Sequence, residues 1–204
     1  MNAGAALAAL AITLLSCRPD ERGRAPVPAP APAPARPTAG PTNVATVQDT
    51  GFGGTTSPVA RTRSRPPGVA VPMLRAVEMS PGPGAGYDRI VFEFAGDSGT
   101  PPGYRIEYTT GPVQRCGSGD PVAVAGAARL VVRFEPAQAH DAHGALTPAA
   151  RHYAPGLPAV REMTLICDFE GQVTWVLGIA APSEYRVSEL TGPARLVLDV
   201  RYPR

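Results

Sequence analysis

The chain has 204 residues, 25 of them Pro and 22 Gly, with 17 acidic side chains and 19 basic ones that are all Arg, for a net charge of +2. Residues 18–72 hold seven Arg against three acids, while residues 73–204 hold 12 Arg against 14 acids. The positive charge therefore lies outside the segment with hydrophobic patterning, which excludes a nucleic-acid-binding domain built on a basic folded face. The length allows one domain, or two.

Residues 3–15 are an apolar run of 13. A membrane span needs about 20 residues, so the run suits the hydrophobic region of a secretory signal instead. Leu14-Leu15-Ser16-Cys17 follows and is similar to a bacterial lipobox. In such signals the Cys thiol receives a diacylglyceryl group and becomes the new amino terminus. A thiolate at Cys17 supplies the nucleophile, and each buried acyl CH₂ adds about 0.8 kcal/mol of membrane affinity. No Arg precedes the run, which departs from the usual pattern. Ordinary secretion with cleavage nearby, or a short buried helix, are the other readings.

Ala25 to Ala35 alternate Ala or Val with Pro. Proline fixes φ and removes a donor, so this run is expected as extended polyproline II, roughly 34 Å long at about 3.1 Å per residue. Residues 38–72 are rich in Thr, Gly, Ser and Pro without periodicity and are expected to be flexible. Arg61, Arg63 and Arg65 fall here, as a solvated stretch or a contact for an anionic polymer. The expected organisation is a lipoprotein signal peptide at 1–16, a lipidated Cys17 and disordered linker through 72, and a folded domain at 73–204.

From Met73 onward the hydrophobic period is two. Ile90, Phe92 and Phe94 share one face, as do Tyr104, Ile106 and Tyr108, then Leu130, Val132 and Phe134. Met163, Leu165 and Cys167 follow, then Val173, Trp175 and Leu177, a shorter Tyr185 and Val187, and finally Leu196, Leu198 and Val200. Such alternation marks half-buried strands. With Pro121–Ala125 and Leu74–Val77 there are eight or nine. The only helix candidate lies within Pro136–His143. The fold class is all-β, a β-sandwich of short strands or a closely related roll.

Tyr87-Asp88-Arg89-Ile90-Val91-Phe92-Glu93-Phe94 resembles the opening strand of the AMIN-like domain of bacterial envelope lipoproteins. Later matches are Gly117-Ser118-Gly119, Ala139-His140-Asp141, Asp168-Phe169-Glu170-Gly171 and the run from Gly192 to Val200. The resemblance covers about residues 73–203. It implies a β-sandwich module that attaches proteins to the envelope, with peptidoglycan as the ligand of the wider AMIN family. The expected function is a non-catalytic, lipid-anchored, extracytoplasmic module. It binds an envelope glycan or, alternatively, another envelope protein. Its partners are the membrane, through the lipid, and that glycan or protein, with no nucleic acid. A wall-active hydrolase using Asp168, Glu170 or His140 is the remaining reading.

Cys116 and Cys167 remain once Cys17 carries lipid, and export favours their oxidation. A bridge would close a loop of about 51 residues and contribute about 4 kcal/mol in the chain-entropy view. His140, His143 and His152 lack zinc-site spacing and are expected as loop histidines, with no metal or cofactor. Asp168-Phe169-Glu170-Gly171 is expected as a hairpin turn with Gly171 at positive φ; its other reading is a carboxylate pair. No catalytic residue is assigned. The ligand-binding candidates are Arg89, Arg105, Arg129 and Arg133, which suit carboxylate or phosphate, with His140, Asp141, Asp168 and Glu170. Glu93, Glu107 and Glu135 alternate with these arginines, so cross-strand ion pairs on a solvated face are the competing expectation.

Overall fold

The computed structural model describes residues 51–204 apart from Ala85 and Asp97. Cys17, the signal-like run and the Ala-Pro repeat lie outside the described residues. These hold ten strands and no helix: β1 (Val59–Arg61), β2 (Met73–Pro81), β3 (Tyr87–Ala95), β4 (Tyr104–Thr109), β5 (Ala128–Phe134), β6 (His152–Tyr153), β7 (Val160–Phe169), β8 (Gln172–Ile179), β9 (Tyr185–Leu190) and β10 (Ala194–Arg201). They pair antiparallel into a six-stranded sheet, β1-β4-β5-β8-β7-β6, and a four-stranded sheet, β2-β3-β10-β9. The all-β sandwich expected from the alternation is what forms.

The inward set of each strand makes one core. Ile90, Phe92 and Phe94 of β3 and Leu196, Leu198 and Val200 of β10 pack with Leu130, Val132 and Phe134 of β5 and Val173, Trp175 and Leu177 of β8. Phe134 meets Phe92 and Phe94 edge-on, with ring centroids 5.0 and 4.9 Å apart. Each such side chain contributes about 1.5–3 kcal/mol by leaving water. Asp88, fully buried beside this core, accepts backbone hydrogen bonds at Oδ2 from Ala159 (2.7 Å) and Val160 (2.8 Å), which offset part of the cost of burying its carboxylate.

Three expectations give way to tertiary contacts. The stretch read as flexible through residue 72 is structured from residue 51 on. Phe52 is buried, Thr55 exchanges two 2.8 Å backbone hydrogen bonds with Tyr185 of β9, and β1 pairs with β4. Residues 52–65 thus form a strap, and its part up to residue 61 passes from the edge of one sheet to the edge of the other. The Tyr185 hydroxyl, between Ser57 O (2.7 Å) and Ile106 O (2.8 Å), pins it. Such a strap needs no periodicity of its own, because its backbone bonds go to strands that already exist.

The helix candidate within Pro136–His143 is a loop. Its amides turn outward to other segments, Ala137 to Gly171 O (2.7 Å) and Gln138 to Pro72 O (3.0 Å). Pro121–Ala125 is not a strand; Pro121 makes one isolated bridge with Gln114. This segment instead covers the outer face of β8, where Val113 and Val124 bury Val176 in a second apolar cluster. The cover lies so close that a Cβ at Gly178 would meet Ala125 O at 1.8 Å. A disulfide between Cys116 and Cys167, Cα atoms 5.2 Å apart, ties the same cover to β7.

A candidate anion-binding cleft

Strands β4 and β5 pair with Arg105 opposite Arg133 and Tyr104 opposite Phe134. Ile106, Val132 and Phe134 are in the core, so Arg105, Glu107, Arg129 and Arg133 share the outer face. Arg105 grips Glu107, two residues along its own strand, through Nε (2.8 Å) and Nη2 (2.6 Å). That double hydrogen bond holds the Glu107 carboxyl below the usual carboxylate range, and the Arg133 charge adds to it. Arg133 itself forms no ion pair among the described residues.

The chain leaving β1 runs past this end of the sheet and carries Arg61, Arg63 and Arg65. With Arg105 and Arg133 they line a cleft of about 610 Å³ in which Glu135 is the one carboxylate. On the other side of residues 62–65 lies a second hollow of about 460 Å³, walled by Val69, Pro72, Pro101, Pro102 and Pro136. Glu189 of β9 holds the basic wall in place from the other sheet. Its Oε2 accepts from Arg63 Nη2 at 2.6 Å and its Oε1 lies 3.2 Å from Arg61 Nε. Arg63 also donates to Pro101 O at 2.7 Å. Burial, reinforced by the Glu189 charge, pushes the Tyr104 phenol up beside them.

The sandwich disperses the other candidates. Arg89 lies on the four-stranded sheet, on the opposite outer face, and is held by Asp199 at 2.7 and 2.9 Å. Arg129 sits four residues before Arg133, roughly 14 Å along the same strand, outside the cleft. His140 and Asp168 do come together: Nδ1–H of His140 donates to Asp168 Oδ2 (2.9 Å), whose Oδ1 accepts from the amide of Ala139 (2.9 Å). This pair anchors the 136–147 loop to the end of β7. Tyr104, Phe134, Val173 and Asp168 lie in one row of register, so the pair is three strand spacings, roughly 14 Å, from the cleft's Tyr104.

Asp141 closes a local turn by accepting from the amides of His143 and Ala145, at 2.8 and 2.9 Å. Glu170 and Gly171 both have positive φ, 50° and 78°, at the tip of the β7–β8 hairpin, as a two-residue loop of the primed type requires. His152 faces Thr164 (3.1 Å) and Glu162 (3.4 Å), away from His140.

Sequence offers Arg61, Arg63 and Arg65 as a solvated stretch or a contact for an anionic polymer, but not as one wall of a cleft with Arg105 and Arg133. Their spacing of two, in Arg61-Thr62-Arg63-Ser64-Arg65, is the signal. In extended chain it brings all three to one face. Arg105 and Arg133 were found from strand alternation, although their juxtaposition depends on register.

The family model of the AMIN-like domain matches residues 74–202, from β2 to just beyond β10, and does not include the strap. No curated protein and no solved structure matches the chain.

Proposed function

The chain belongs to the AMIN-like domain family, and from that membership and the cleft we propose a non-catalytic module that binds an envelope glycan, peptidoglycan first among them. The family is one of envelope-associated binding modules. The observation that carries the reading further is the cleft: five arginines around one carboxylate. Peptidoglycan stems carry carboxylates, and a guanidinium presents a planar fork that matches them. In this reading Cys17 carries the lipid and the Ala-Pro run holds the domain away from the membrane. The Cys116–Cys167 disulfide suits the oxidising side of that membrane.

Sedimentation with purified sacculi tests the proposal. The protein is expected in the pellet at low salt, with release as salt screens the arginines. Protein that stays in the supernatant at low salt overturns it.

One feature favours the adaptor reading. Phe169, at the base of the β7–β8 turn, is 61% exposed, an apolar anchor of the kind protein interfaces use. A stoichiometric protein crosslinked in cells and lost on Phe169→Ala would place a protein partner there.

A further inference from the structure

We propose that residues 61–66, outside the span matched by the family, are the second wall of the binding site. The ligand is a polymer strand with closely spaced anionic groups, carboxylate or phosphate, gripped between Arg133 on the sheet and Arg65 on the strap. This rests on the envelope-glycan reading above and specifies its site.

The first support is a like-charge pair. Arg105 and Arg133 are directly opposite on neighbouring antiparallel strands, where side chains of one sign repel. Glu107 satisfies Arg105 bidentately, and Arg133 feels the Glu107 charge without a hydrogen bond or ion pair to any carboxylate among the described residues. Glu107 offsets part of that repulsion, and an anion above the pair supplies Arg133 with the bonded counter-charge it lacks.

The second support is the way the strap spends its charges. Arg61 and Arg63 converge on Glu189, so they anchor the wall to the four-stranded sheet. Arg65 donates to a carbonyl, Val69 O, and not to a carboxylate, so its charge is not neutralised there. Arg65 and Arg133 both line the cleft. At about 610 Å³ the cleft exceeds what one small oxyanion fills, which suits successive groups on a chain. Glu135 lies in the lining as well. It disfavours a densely packed polyanion directly against it, so the ligand passes closer to the strap.

The experiment uses the full-length protein and three probes: sacculi with their phosphodiester polymers, the same sacculi stripped of them by acid, and short linear polyphosphate. Arg65→Ala and Arg133→Ala are each expected to weaken sacculus binding about tenfold and to abolish the thermal shift given by polyphosphate. Both side chains sit at the surface, and unchanged unfolding temperatures without ligand verify the fold. Glu189→Gln, which frees the strap without touching the cleft lining, is expected to weaken binding too. Arg75→Ala, an exposed arginine on β2 of the other sheet, is expected to leave binding unchanged.

Binding lost on stripping identifies phosphate as the source of the anion, and binding retained identifies stem carboxylates; either supports the cleft. If the protein pellets equally with Arg65→Ala and Arg133→Ala, or if Arg75→Ala weakens binding as much as they do, the two-walled site is overturned while glycan binding stands. If nothing pellets, glycan binding fails. The polyphosphate shift then decides the cleft by itself: a shift lost in both variants supports it, and no shift overturns it.

Discussion

Arg89 and Asp199 face each other across β3 and β10 and are joined by two parallel hydrogen bonds of 2.7 and 2.9 Å. The Asp199 side chain is only 2% exposed, and Arg186 adds a third bond to it at 2.9 Å. The Arg186 guanidinium in turn lies over the rings of Phe52 and Tyr87, at 4.7 and 4.8 Å. A carboxylate so placed is a structural hub, and the arginine that the pattern of strand 87–95 offered as a ligand contact is already engaged.

Asp199→Ala is therefore expected to destabilise the domain by about 2–4 kcal/mol, because it strands two guanidiniums whose partner is removed. Urea unfolding should show a lower midpoint with an unchanged slope. Anion binding at the cleft, on the other sheet, should persist under conditions where the variant is folded.

Removing the Cys116–Cys167 bridge is expected to cost about 2–4 kcal/mol. Cys116→Ser with Cys167→Ser, or reduction of the native protein, should lower the melting temperature. Limited proteolysis should then cut first within residues 110–127, the cover that the bridge holds onto β7.

Gly178→Ala is expected to destabilise by about 1–3 kcal/mol or more. The new methyl would sit 1.8 Å from Ala125 O and 2.8 Å from Ala125 C, both backbone atoms that cannot swing aside, so the cover must lift from β8. Thermal unfolding measures the loss, and faster amide exchange at Val176 would locate it.

Tyr185 predicts an alkaline limit. Its ring is fully buried, and burial pushes the phenol from 10.0 up to about 12. The folded state thus keeps a proton that the unfolded state loses above pH 10, and stability falls as pH rises from about 10 to 12. Below pH 10 this group adds no pH dependence of its own, because it is protonated in both states. Tyr185→Phe should reduce that alkaline decline, leaving the smaller share of Tyr104, Tyr108 and Tyr202, whose phenols burial also pushes up. It should also cost about 1 kcal/mol at neutral pH, as the hydroxyl's single proton, shared between Ser57 O on the strap and Ile106 O on β4, is lost. Denaturant midpoints from pH 8 to 11.5 check both.

Alternation made most of the fold legible. Ile90, Phe92 and Phe94, or Val173, Trp175 and Leu177, announce a buried face because a strand turns successive side chains to opposite sides. That rule operates within each segment and needs no knowledge of its neighbours. The hairpin at Glu170-Gly171 was readable for the same reason, since positive φ is a local demand. Pairings were not readable. Arg89 went to one sheet and Arg105 and Arg133 to the other because strand order and register are set by the whole core, and a cross-strand neighbour carries no mark in sequence. His140 met Asp168 across 28 positions by the same route.

The strap shows the division most clearly. Nothing in Phe52 to Arg65 has the periodicity of an element, so composition alone described a linker. Its order comes from bonds to edges that exist only after the two sheets have packed: Thr55 to Tyr185, β1 to β4, and Arg61 and Arg63 to Glu189. Sequence by itself determined the long alternating strands, their buried faces and the amount of charge, but not β1 or the cover at Pro121–Ala125. Tertiary structure decided which arginines keep that charge available, because neutralisation depends on which carboxylate lies within about 3 Å, and chain separation does not set that distance.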